Sequence, residues 1–555
     1  MDTFHTERSA VSRSESFRGT RHVSIARACE RWKEIVGEKF LHVDELTVTR
    51  FGENVSGLSR EIAAVLQPAS TQEVQEVVRV AHECRIPLYP ISRGCNWGLG
   101  SRLPVRSGAV LLDLSRLNRI HEVNAQHHYA VVEPGVTQGQ LYDYLCEHHL
   151  PLMLNVTGAG RSTSLIGNAL ERGIGYFSSR ADSLSGMEVV MGNGEILRTG
   201  FGSWPDSRIT HHYKHGIGPG LDSLFVQSNL GIVTRAGVEL LPAPEAHAAL
   251  IVSLRDETKL GEFINRLADL RRRGAIQTVI HVGNRYRTEI TLAPLLCERL
   301  QTETSDFQTM KASVEALLAA EGFGSWSAVI GLLGTSAHLQ ASLDEVKREL
   351  SELGRISVLT DLKIRGAKKI LNALSFLPWA RRKSAILDAT EPLYGLSKGI
   401  PTDAALGSLY WPIGELPPKK QARPDRDGGG MLYFLPMMPL EGNVAVEMMD
   451  LTKGICDRFG FQPATTLNVV DTRTLEAVIS LSFDRRKPDQ VKAAHDCMEQ
   501  LHALYVEKGY PPYRVGIQSM NRVVDLNNPF WKVIHDLKHV FDPHHIIAPG
   551  RYNLL

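Results

Sequence analysis

Residues Arg93–Gly100 have the composition of a segment that binds a phosphate group. They follow an apolar run, Pro87–Ser92, and include glycines at positions 94, 98 and 100. Glycines allow backbone N–H groups to approach a ligand closely, and Arg93 adds positive charge, so the segment could hold a pyrophosphate. It is neither a GxGxxG motif that opens a helix nor a Walker sequence with Gly-Lys-Ser/Thr. Taken alone, it is also typical of a structural turn.

The rest of the composition is typical of a globular protein without a metal site. The seven cysteines are scattered and form no CxxC pair, haem-attachment motif or zinc spacing, so free thiols in a reducing compartment are expected. The net charge of +1 gives no electrostatic reason to expect a nucleic-acid or membrane partner. No apolar run reaches the about 20 residues of a membrane span, and the N-terminus lacks the apolar core of a secretory signal, which predicts a cytoplasmic location.

The elements around Arg93–Gly100 alternate between helix and strand over residues 61–245. Ser70-Thr71-Gln72-Glu73 has the form of a capping box, and apolar residues then recur at helical spacing. Farther along the chain, Asn193-Gly194 joins two short apolar runs, which predicts a β-hairpin with a type I′ turn. At 555 residues the chain is too long for one hydrophobic core, so two or three domains are expected.

The pattern changes after Pro242. From residue 246 to about 500, long amphipathic helices such as Leu260–Arg272 alternate with strand-like runs such as Trp326–Leu333. This pattern predicts a separate α+β domain. Within it, Lys419–Gly430 is polar and ends in three glycines, which predicts a mobile loop.

Several blocks of sequence lie in a distinctive order and spacing. They are PLYPISRGCNWGLG, GAVLLDLSRLNRI, AVVEPGVTQGQL, IGNALERGIGY, GMEVVMGNGEILRTGFG, LDSLFVQSNLGIVTRAGVELLP, KGYPPYRVGIQSMNRV and FDPHHIIAPGR. Together they resemble the vanillyl-alcohol oxidase / 4-cresol dehydrogenase family of flavoproteins. The resemblance covers residues 60–245 and 500–555 closely and the middle of the chain loosely.

The resemblance implies an α+β architecture with FAD as the cofactor. A two-subdomain FAD-binding domain of the PCMH (p-cresol methylhydroxylase) type would span residues 41–245, after an N-terminal extension and first helix at 1–40. An α+β cap with an antiparallel sheet, at residues 246–500, would cover the flavin ring and hold the substrate. Residues 501–555 would return to the FAD-binding domain. Dimerisation is common in the family, so a homodimer is expected.

The resemblance also assigns residues to the cofactor. The glycine-rich segment would wrap the pyrophosphate, other stretches would line the rest of the dinucleotide, and Arg551 would contact the pyrimidine edge of the flavin. The predicted cofactor residues are Ser92, Arg93, Gly94, Cys95, Asn96, Trp97, Gly98, Leu99, Gly100, Glu133, Pro134, Gly135, Val136, Gly167, Asn168, Arg172, Gly173, Gly231, Ile232, Val233 and Arg551.

Tyr513 and Arg514 match the family's Tyr-Arg pair and are the predicted catalytic residues. Hydride leaves the benzylic carbon of a para-substituted phenol readily only from the phenolate, and a guanidinium with a tyrosine hydroxyl stabilises that anion. Arg514 could also offset negative charge on the reduced flavin. In the cap, Tyr410, Trp411 and Tyr433 are the predicted apolar walls for an aromatic substrate.

Three positions depart from the family pattern. Leu99 stands where the family's phenolate site has a second tyrosine, and it is predicted to contact the substrate there. Asn155–Ser162 holds no carboxylate where vanillyl-alcohol oxidase has an aspartate beside flavin N5, and Tyr176–Asp182 replaces the family's Tyr-Thr-Pro-Tyr-Gly-Asp-His run. Three residues could substitute for the missing groups: Arg161, Arg180 or Asp182.

The residues at the usual attachment points predict non-covalent FAD. Covalent attachment needs a nucleophilic histidine, tyrosine or cysteine at the 8-methyl edge of the flavin. Met431 aligns with the family's cap histidine, and Asn96 lies near the glycine-loop histidine of other flavoproteins. Neither side chain can form the bond, although Tyr433 could do so if the alignment is shifted.

These features favour an FAD enzyme that oxidises a small aromatic, phenolic substrate through a quinone-methide-like intermediate, with O2 or another electron acceptor reoxidising the flavin. Leu99 and the missing aspartate leave open a biosynthetic oxidase acting on an amine, alcohol or heterocycle. A third hypothesis is a flavoprotein subunit that passes electrons to a cytochrome; since the chain has no haem motif, the haem would lie on another subunit. A fourth is a non-catalytic scaffold stabilised by flavin.

Overall fold

The first subdomain is a four-stranded sheet with helices on its surface. The computed structural model describes residues 24–300, 306–418 and 422–555, so most of the predicted N-terminal extension lies outside the described residues. Strands β2, β4 and β3 are parallel, β1 pairs with β2 in the antiparallel sense, and the order is β1-β2-β4-β3. The elements are α1 (24–36), β1 (Leu41–His42), α2 (Glu45–Phe51), β2 (Ile62–Leu66), α3 (Thr71–Cys84), β3 (Leu88–Ile91) and β4 (Ala109–Asp113).

Local sequence signals explain where these elements begin. The Ser70 hydroxyl accepts a hydrogen bond from the N–H of Glu73 at 3.1 Å, and the Glu73 carboxylate accepts one from the N–H of Ala69 at 2.8 Å. This is the predicted capping box at the start of α3. The prediction is confirmed, and the buried valines of α3 then cover the first sheet.

The second subdomain is a five-stranded antiparallel sheet in the order β5-β6-β10-β8-β9. The predicted hairpin is β8–β9, in which Glu188 pairs with Arg198. The predicted type I′ turn is wrong: Gly194 has a φ of 81°, but Asn193 does not have the positive φ that this turn needs, and Gly194 N–H bonds to the Met191 carbonyl instead. The elements are β5 (Ile120–Asn124), β6 (Tyr129–Val132), α4 (Gln138–Glu147), β7 (Leu152–Met153), α5 (Leu165–Leu170), β8 (Leu184–Val190), β9 (Ile196–Arg198), β10 (Ile232–Glu239) and β11 (Leu241–Pro242), which pairs with β7.

The predicted α+β domain after Pro242 is an eight-stranded antiparallel sheet in the order β15-β12-β14-β13-β17-β18-β16-β19. Its strands are β12 (Ala246–Leu254), β13 (Ile280–Asn284), β14 (Trp326–Gly334), β15 (Gly354–Leu359), β16 (Gly429–Pro439), β17 (Ala464–Val469), β18 (Thr474–Asp484) and β19 (Pro512–Arg514). Its helices are α6 (Leu260–Arg272), α7 (Arg285–Leu300), α8 (Phe307–Ala320), α9 (Ser336–Leu350), α10 (Asp361–Ala373), α11 (Pro378–Leu396), α12 (Gly442–Arg458) and α13 (Pro488–Glu507).

Alternation along the strands gives this sheet two different faces. Helices α6, α9, α12 and α13 pack their apolar side chains on one face, where residues such as Leu250 and Val282 are fully buried. The intervening residues, such as Ile251 and His281, point to the opposite face, which is covered by α7 and α11 and encloses a cavity. Among the described residues, no helix is both long and apolar enough to cross a bilayer.

The C-terminal segment joins both domains. After β19 it forms α14 (Met520–Val523) and α15 (Pro529–Phe541), and then Leu88 of β3 donates a hydrogen bond to the Ile546 carbonyl at 2.7 Å. The predicted boundary at residue 501 falls inside α13, whose Leu501 and Tyr505 lie in the core beneath the eight-stranded sheet. The chain therefore leaves the cap only after β19, because the apolar face of α13 needs that core.

Candidate active site

One cleft lies between the two sheets of the first domain and the returning C-terminal segment, and we call it the domain cleft. Its volume is about 1030 Å³, including its opening to solvent. It is lined by the residues after β3, the C-terminal half of α5, the start of β10 and the C-terminal segment. The predicted residues among them are Ser92, Arg93, Gly94, Cys95, Asn96, Gly167, Asn168, Gly231, Ile232, Val233, Arg514 and Arg551.

Glycines at two positions bring the walls of the domain cleft close together. Gly94 has a φ of 69°, a left-handed conformation that glycine adopts at little cost. A Cβ added at Gly167 would lie 2.6 Å from the hydroxyl oxygen of Ser92, so α5 can approach the glycine-rich segment only without a side chain there. The backbone around the cleft is therefore shaped as a narrow cradle.

The second half of the glycine-rich segment lies beside the cap, and its assignment to the cofactor stays a prediction. Trp97, Gly98, Leu99 and Gly100 do not line the domain cleft, because they turn toward the cap. The Gly98 carbonyl accepts a hydrogen bond from Tyr433 N–H at 3.0 Å, and a Cβ at Gly98 would lie 2.5 Å from the Tyr433 ring. Leu99 is buried, and its backbone hydrogen-bonds to Asn96 and Ile517. It lines neither the domain cleft nor the cavity of the cap.

The predicted mobile loop is held against this turn. Its residues 419–421 lie outside the described residues. Asp425 is buried and accepts hydrogen bonds from the Ser101 hydroxyl at 2.6 Å and from the Trp97 indole N–H at 3.2 Å. Burial raises the pKa of the Asp425 carboxyl above its ordinary value, and Ser101 and Arg102 oppose that shift. The loop is therefore attached to the glycine-rich segment rather than free over its described part.

Two other predicted stretches frame the domain cleft without lining it. Glu133–Val136 packs against the chain after β4, where Glu133 accepts a hydrogen bond from Arg119 N–H at 2.8 Å. A Cβ at Gly135 would lie 2.5 Å from the Leu117 carbonyl, so this glycine serves backbone packing. Arg172 is exposed with a φ of 52°, and Gly173 packs on the Asn168 side chain.

A cluster of charges lies at the end of the domain cleft nearest the cap. Glu171 forms an ion pair with Arg551 and lies 3.8 Å from the Nε of Arg514. Arg514 donates a hydrogen bond to the Asn96 side-chain oxygen at 2.6 Å, and Arg551 donates one to the Tyr89 hydroxyl at 2.7 Å. Two guanidinium groups against one carboxylate leave a net positive charge, which suits an anionic or electron-rich ligand group.

Tyr513 is connected to the cap by a chain of buried side chains. Its hydroxyl interacts electrostatically with Glu476, which accepts a hydrogen bond from the Asn468 amide at 2.7 Å. The Asn468 oxygen in turn lies 2.7 Å from the Nδ1 of His281. Burial raises the pKa values of Tyr513 and Glu476 and lowers that of His281 to about 4. We call these four residues the relay.

The second cavity, the cap cavity, lies between the eight-stranded sheet and helices α7 and α11. Its volume is about 1010 Å³, including its opening to solvent, and its walls are mostly apolar. Its lining includes the ionisable side chains of Tyr176, His281, Arg287 and Tyr394, and the Tyr176 and His281 rings lie 4.5 Å apart. Within the described ranges, the Arg287 guanidinium has no hydrogen-bond or ion-pair partner.

The predicted aromatic walls lie elsewhere. Tyr410 and Trp411 are buried, and neither lines the cap cavity or the domain cleft. The Tyr410 hydroxyl donates to Asp427 at 2.6 Å, and the Trp411 indole donates to Glu289 at 3.0 Å. These distant polar partners orient both rings into the cap core. Tyr433 packs on Gly98, and Met431 is buried beside Tyr410.

Of the three residues considered as substitutes for the missing family groups, one is close to the domain cleft. Arg161 pairs with Asp143 at 2.7 Å on the surface, and Asp182 is exposed. Arg180 is buried, and its guanidinium donates to the Asn168 side-chain oxygen at 3.2 Å. Burial lowers the pKa of Arg180 to about 10, because no carboxylate offsets its charge.

The domain cleft fits a flavin dinucleotide. It combines a glycine cradle at Ser92–Asn96 with an electropositive end, and the Nε of Arg514 is buried there without a hydrogen-bond partner. FAD has an extended pyrophosphate and an electron-rich ring edge, which match these two parts. Sequence reasoning missed Glu171 as a partner of both arginines, along with Glu476, Asn468, His281 and Arg287.

Comparisons with known proteins agree with this fit. A family model described as an FAD binding domain matches residues 62–200. The chain is 33% identical to 1'-carboxy-chondrochloren decarboxylase of Chondromyces crocatus, over 95% of this chain and 97% of that protein. It is 28% identical to the 4-cresol dehydrogenase (hydroxylating) flavoprotein subunit of Pseudomonas putida, over 96% of each.

A solved structure resembles the whole fold. The 4-ethylphenol oxidase from Gulosibacter chungangensis, in its isoeugenol complex, superposes with a TM-score of 0.82 at 25% identity. The match covers 96% of this chain and 97% of that one. The similarity therefore includes both domains and the returning C-terminal segment.

Proposed function

Because the chain belongs to the vanillyl-alcohol oxidase / 4-cresol dehydrogenase family of FAD-linked oxidoreductases, we propose that it oxidises a phenol with a para side chain at the benzylic carbon. The observation that carries this proposal is the position of Tyr513 and Arg514. Arg514 lines the domain cleft, while Tyr513 begins the relay that ends at the cap cavity. Tyr513 itself lines neither cavity, but through Arg514 and the relay the pair joins the domain cleft to the cap cavity.

FAD bound in the domain cleft would supply a two-electron acceptor that takes a hydride from the substrate. The residues of this chain would hold it: Ser92–Asn96 at the pyrophosphate, and Arg514 and Arg551 at the ring end. Met431, which is buried, and Asn96, which bonds to Arg514, offer no nucleophile for a covalent bond. We propose non-covalent FAD on this basis, tested by acid precipitation: the flavin should remain in the supernatant, and a yellow pellet would contradict it.

The relay supplies a place for the phenol proton. Tyr513 can accept a hydrogen bond from the substrate hydroxyl while its own proton moves to Glu476. Burial raises the pKa of Glu476, so this carboxylate is a stronger base than an ordinary glutamate. Arg514 then stabilises the phenolate, from which hydride leaves readily. In this proposal Glu476 replaces the carboxylate and the tyrosine that the family pattern has elsewhere.

The direct test is Arg514→Ala, assayed by anaerobic reduction of the bound flavin with a 4-alkylphenol. We expect the reduction rate to fall by about 10²- to 10³-fold, because a preorganised cation beside the phenolate is lost. FAD content should stay near that of the parent, since Arg551 keeps its pairing with Glu171. Arg382→Ala on the exposed side of α11 is the matched control. Unchanged reduction in Arg514→Ala would refute the assigned role.

A second candidate is oxidative decarboxylation, which Arg287 favours. In a phenol whose carboxylate is carried by the side-chain carbon adjacent to the benzylic carbon, hydride leaves the benzylic carbon and the bond from the adjacent carbon to the carboxylate breaks. The electron pair of that bond becomes the new C=C bond, and CO2 is released. An isolated guanidinium in the cap cavity suits such an acid, and one relative is named a decarboxylase. Release of CO2 with an alkene product distinguishes this reaction from simple benzylic oxidation.

The identity of the electron acceptor that reoxidises the flavin can also be tested. We propose O2 or a partner protein, since one relative is a dehydrogenase flavoprotein subunit and a structural neighbour is an oxidase. Turnover in air with release of H2O2 supports the oxidase. Flavin that is reduced by phenol but reoxidised only by an artificial acceptor supports a protein partner.

A further inference from the structure

We propose that the cap cavity is a carboxylate-binding subsite in which Arg287 is the counter-ion of an acidic substrate. The inference rests on the proposed function, because it concerns the same substrate. It goes further in stating that the substrate is a phenol with an acid at the far end of its side chain. Three observations carry it: the isolation of Arg287, the polar groups beside it, and the distance from Tyr513.

Arg287 is a positive charge without a counter-charge. No aspartate or glutamate lines the cap cavity within the described residues. Arg287 also lies in the first turn of α7, where the helix dipole disfavours a cation. Arg287 is half-buried against the apolar walls of the cavity, and a bound anion would supply the counter-charge that the described lining lacks. Other cations of the cap, such as Lys368 with Asp388, have a carboxylate partner.

The side chains beside Arg287 add one hydrogen-bond donor and one acceptor to the anion site. Burial raises the pKa of Tyr176 to about 12, so its hydroxyl remains protonated and can donate to a carboxylate. Burial lowers the pKa of His281 to about 4, so its ring is neutral, and its Nε2 is buried without a hydrogen-bond partner. With Nδ1–H directed to Asn468, Nε2 is an acceptor. The site therefore offers two donors to a carboxylate and one acceptor to a substrate hydroxyl or N–H.

Strand register fixes how far this subsite lies from the catalytic pair. His281 pairs with Asn468, and Asn468 pairs with Glu476, so the three side chains share one face of the sheet. Adjacent strands are roughly 4.8 Å apart, which separates His281 from Glu476 by about 10 Å. A substrate whose ring lies at the Glu476 end of this face and whose side chain reaches the His281 end must span a comparable distance. Cresol is too short, whereas a phenol with a side chain of several atoms ending in a carboxylate is long enough.

The test compares an acid with its neutral isostere. The probes are 4-(4-hydroxyphenyl)butanoate and its primary amide, titrated calorimetrically into dithionite-reduced holoenzyme, which cannot oxidise either one. We expect the parent protein to bind the acid at least about tenfold more tightly than the amide. Arg287→Met should reduce this ratio to about one without changing the affinity for the amide. Arg382→Met removes an exposed charge of the same type and should leave the ratio unchanged.

An unchanged ratio in Arg287→Met that retains its flavin and melting temperature overturns the proposal. If Arg287→Met fails to fold, Arg287→Lys and Tyr176→Phe provide the test, with a reduced but measurable preference for the acid expected in each and an unchanged preference contradicting it. Failure of the proposed function is seen in a separate measurement. If the oxidised parent enzyme oxidises neither the acid nor the amide, that function is refuted, whatever the ratio of the two affinities is.

Discussion

At the scale of single residues, the candidate site depends on a few charges without ordinary partners. Arg514 and Arg551 share Glu171, and among the described residues the Arg180 guanidinium bonds to Asn168 alone. Glu476 is a fully buried carboxylate that forms no ion pair within the described residues; it bonds to Asn468 and interacts with Tyr513 and Arg514. Such groups destabilise a fold unless they serve a ligand, so their concentration between the two cavities indicates a reaction centre.

Glu476→Gln tests whether this carboxylate accepts the phenol proton. We expect the rate of flavin reduction near neutral pH to fall by about 10²-fold, because the amide cannot take the proton. The rate should recover as the pH approaches about 10, where a phenol ionises in solution. The measurement is anaerobic stopped-flow reduction across pH, with FAD content as the control. A variant with the parent's pH profile would show that Glu476 has no such role.

At the scale of elements, more of the secondary structure than of the candidate site can be predicted from the sequence. The helical periodicity of α3, the Asn-Gly hairpin and the first half of the glycine-rich segment are local features, and the structure has them where they are expected. The relay is not local, because it requires β13, β17 and β18 to align His281, Asn468 and Glu476 across about 200 residues of chain. The sequence predicts Tyr410 and Trp411 as substrate walls because it does not reveal their hydrogen-bond partners, Asp427 and Glu289, which the fold brings beside them.

Gly98→Ala tests the element that joins the glycine-rich segment to the cap. Gly98 has a φ of 76°, and the added Cβ would lie 2.5 Å from the Tyr433 ring. Gly218 has a φ of 84° with nothing within 4 Å of an added Cβ, so Gly218→Ala is a control for backbone strain alone. Strain costs about 1–2 kcal/mol at each site.

We expect Gly98→Ala to lower the melting temperature and the FAD occupancy more than Gly218→Ala does, since only the first variant adds a clash. Adding Tyr433→Ala to Gly98→Ala should recover part of the loss. Equal melting temperatures and equal FAD occupancies in the two single variants would contradict the assigned contact.

At the scale of the whole molecule, the fold is the PCMH-type α+β fold that the resemblance implies, and this prediction is confirmed. The C-terminal segment contacts the first domain through Lys538, which is fully buried, pairs with Asp542 of the same segment at 2.7 Å and donates a hydrogen bond to the Asn229 carbonyl. Charge patterning gave no sign of this pair, because a lysine in a helix usually faces solvent. The homodimer and the cytoplasmic location stay predictions.

Two buried histidines make the stability of the whole molecule sensitive to acid. Burial lowers the pKa of His247 to about 4, assisted by Lys398 and opposed by Asp361, and it lowers that of His281 equally. In the unfolded chain both titrate near about 6.5, so the unfolded state binds more protons between these values. Stability should therefore fall as the pH drops from about 6.5 to 4, by up to about 1.4 kcal/mol per unit for each histidine.

We expect the double variant His247→Gln/His281→Gln to have a flatter melting-temperature profile over this pH window than the parent. Thermal unfolding of the holoenzyme in buffers of equal ionic strength measures it. Parallel profiles for the parent and the variant would contradict the assignment of the acid sensitivity to these two rings.

The central claim is that the chain oxidises a phenol through its phenolate. The most direct measurement is anaerobic titration of the purified holoenzyme with 4-(4-hydroxyphenyl)butanoate and, in parallel, with the methyl ether of the same phenol. The account predicts loss of the oxidised flavin absorbance with the phenol, at about one substrate per flavin, and no loss with the ether, which cannot form a phenolate. Equal bleaching by both compounds, or bleaching by neither, would contradict it.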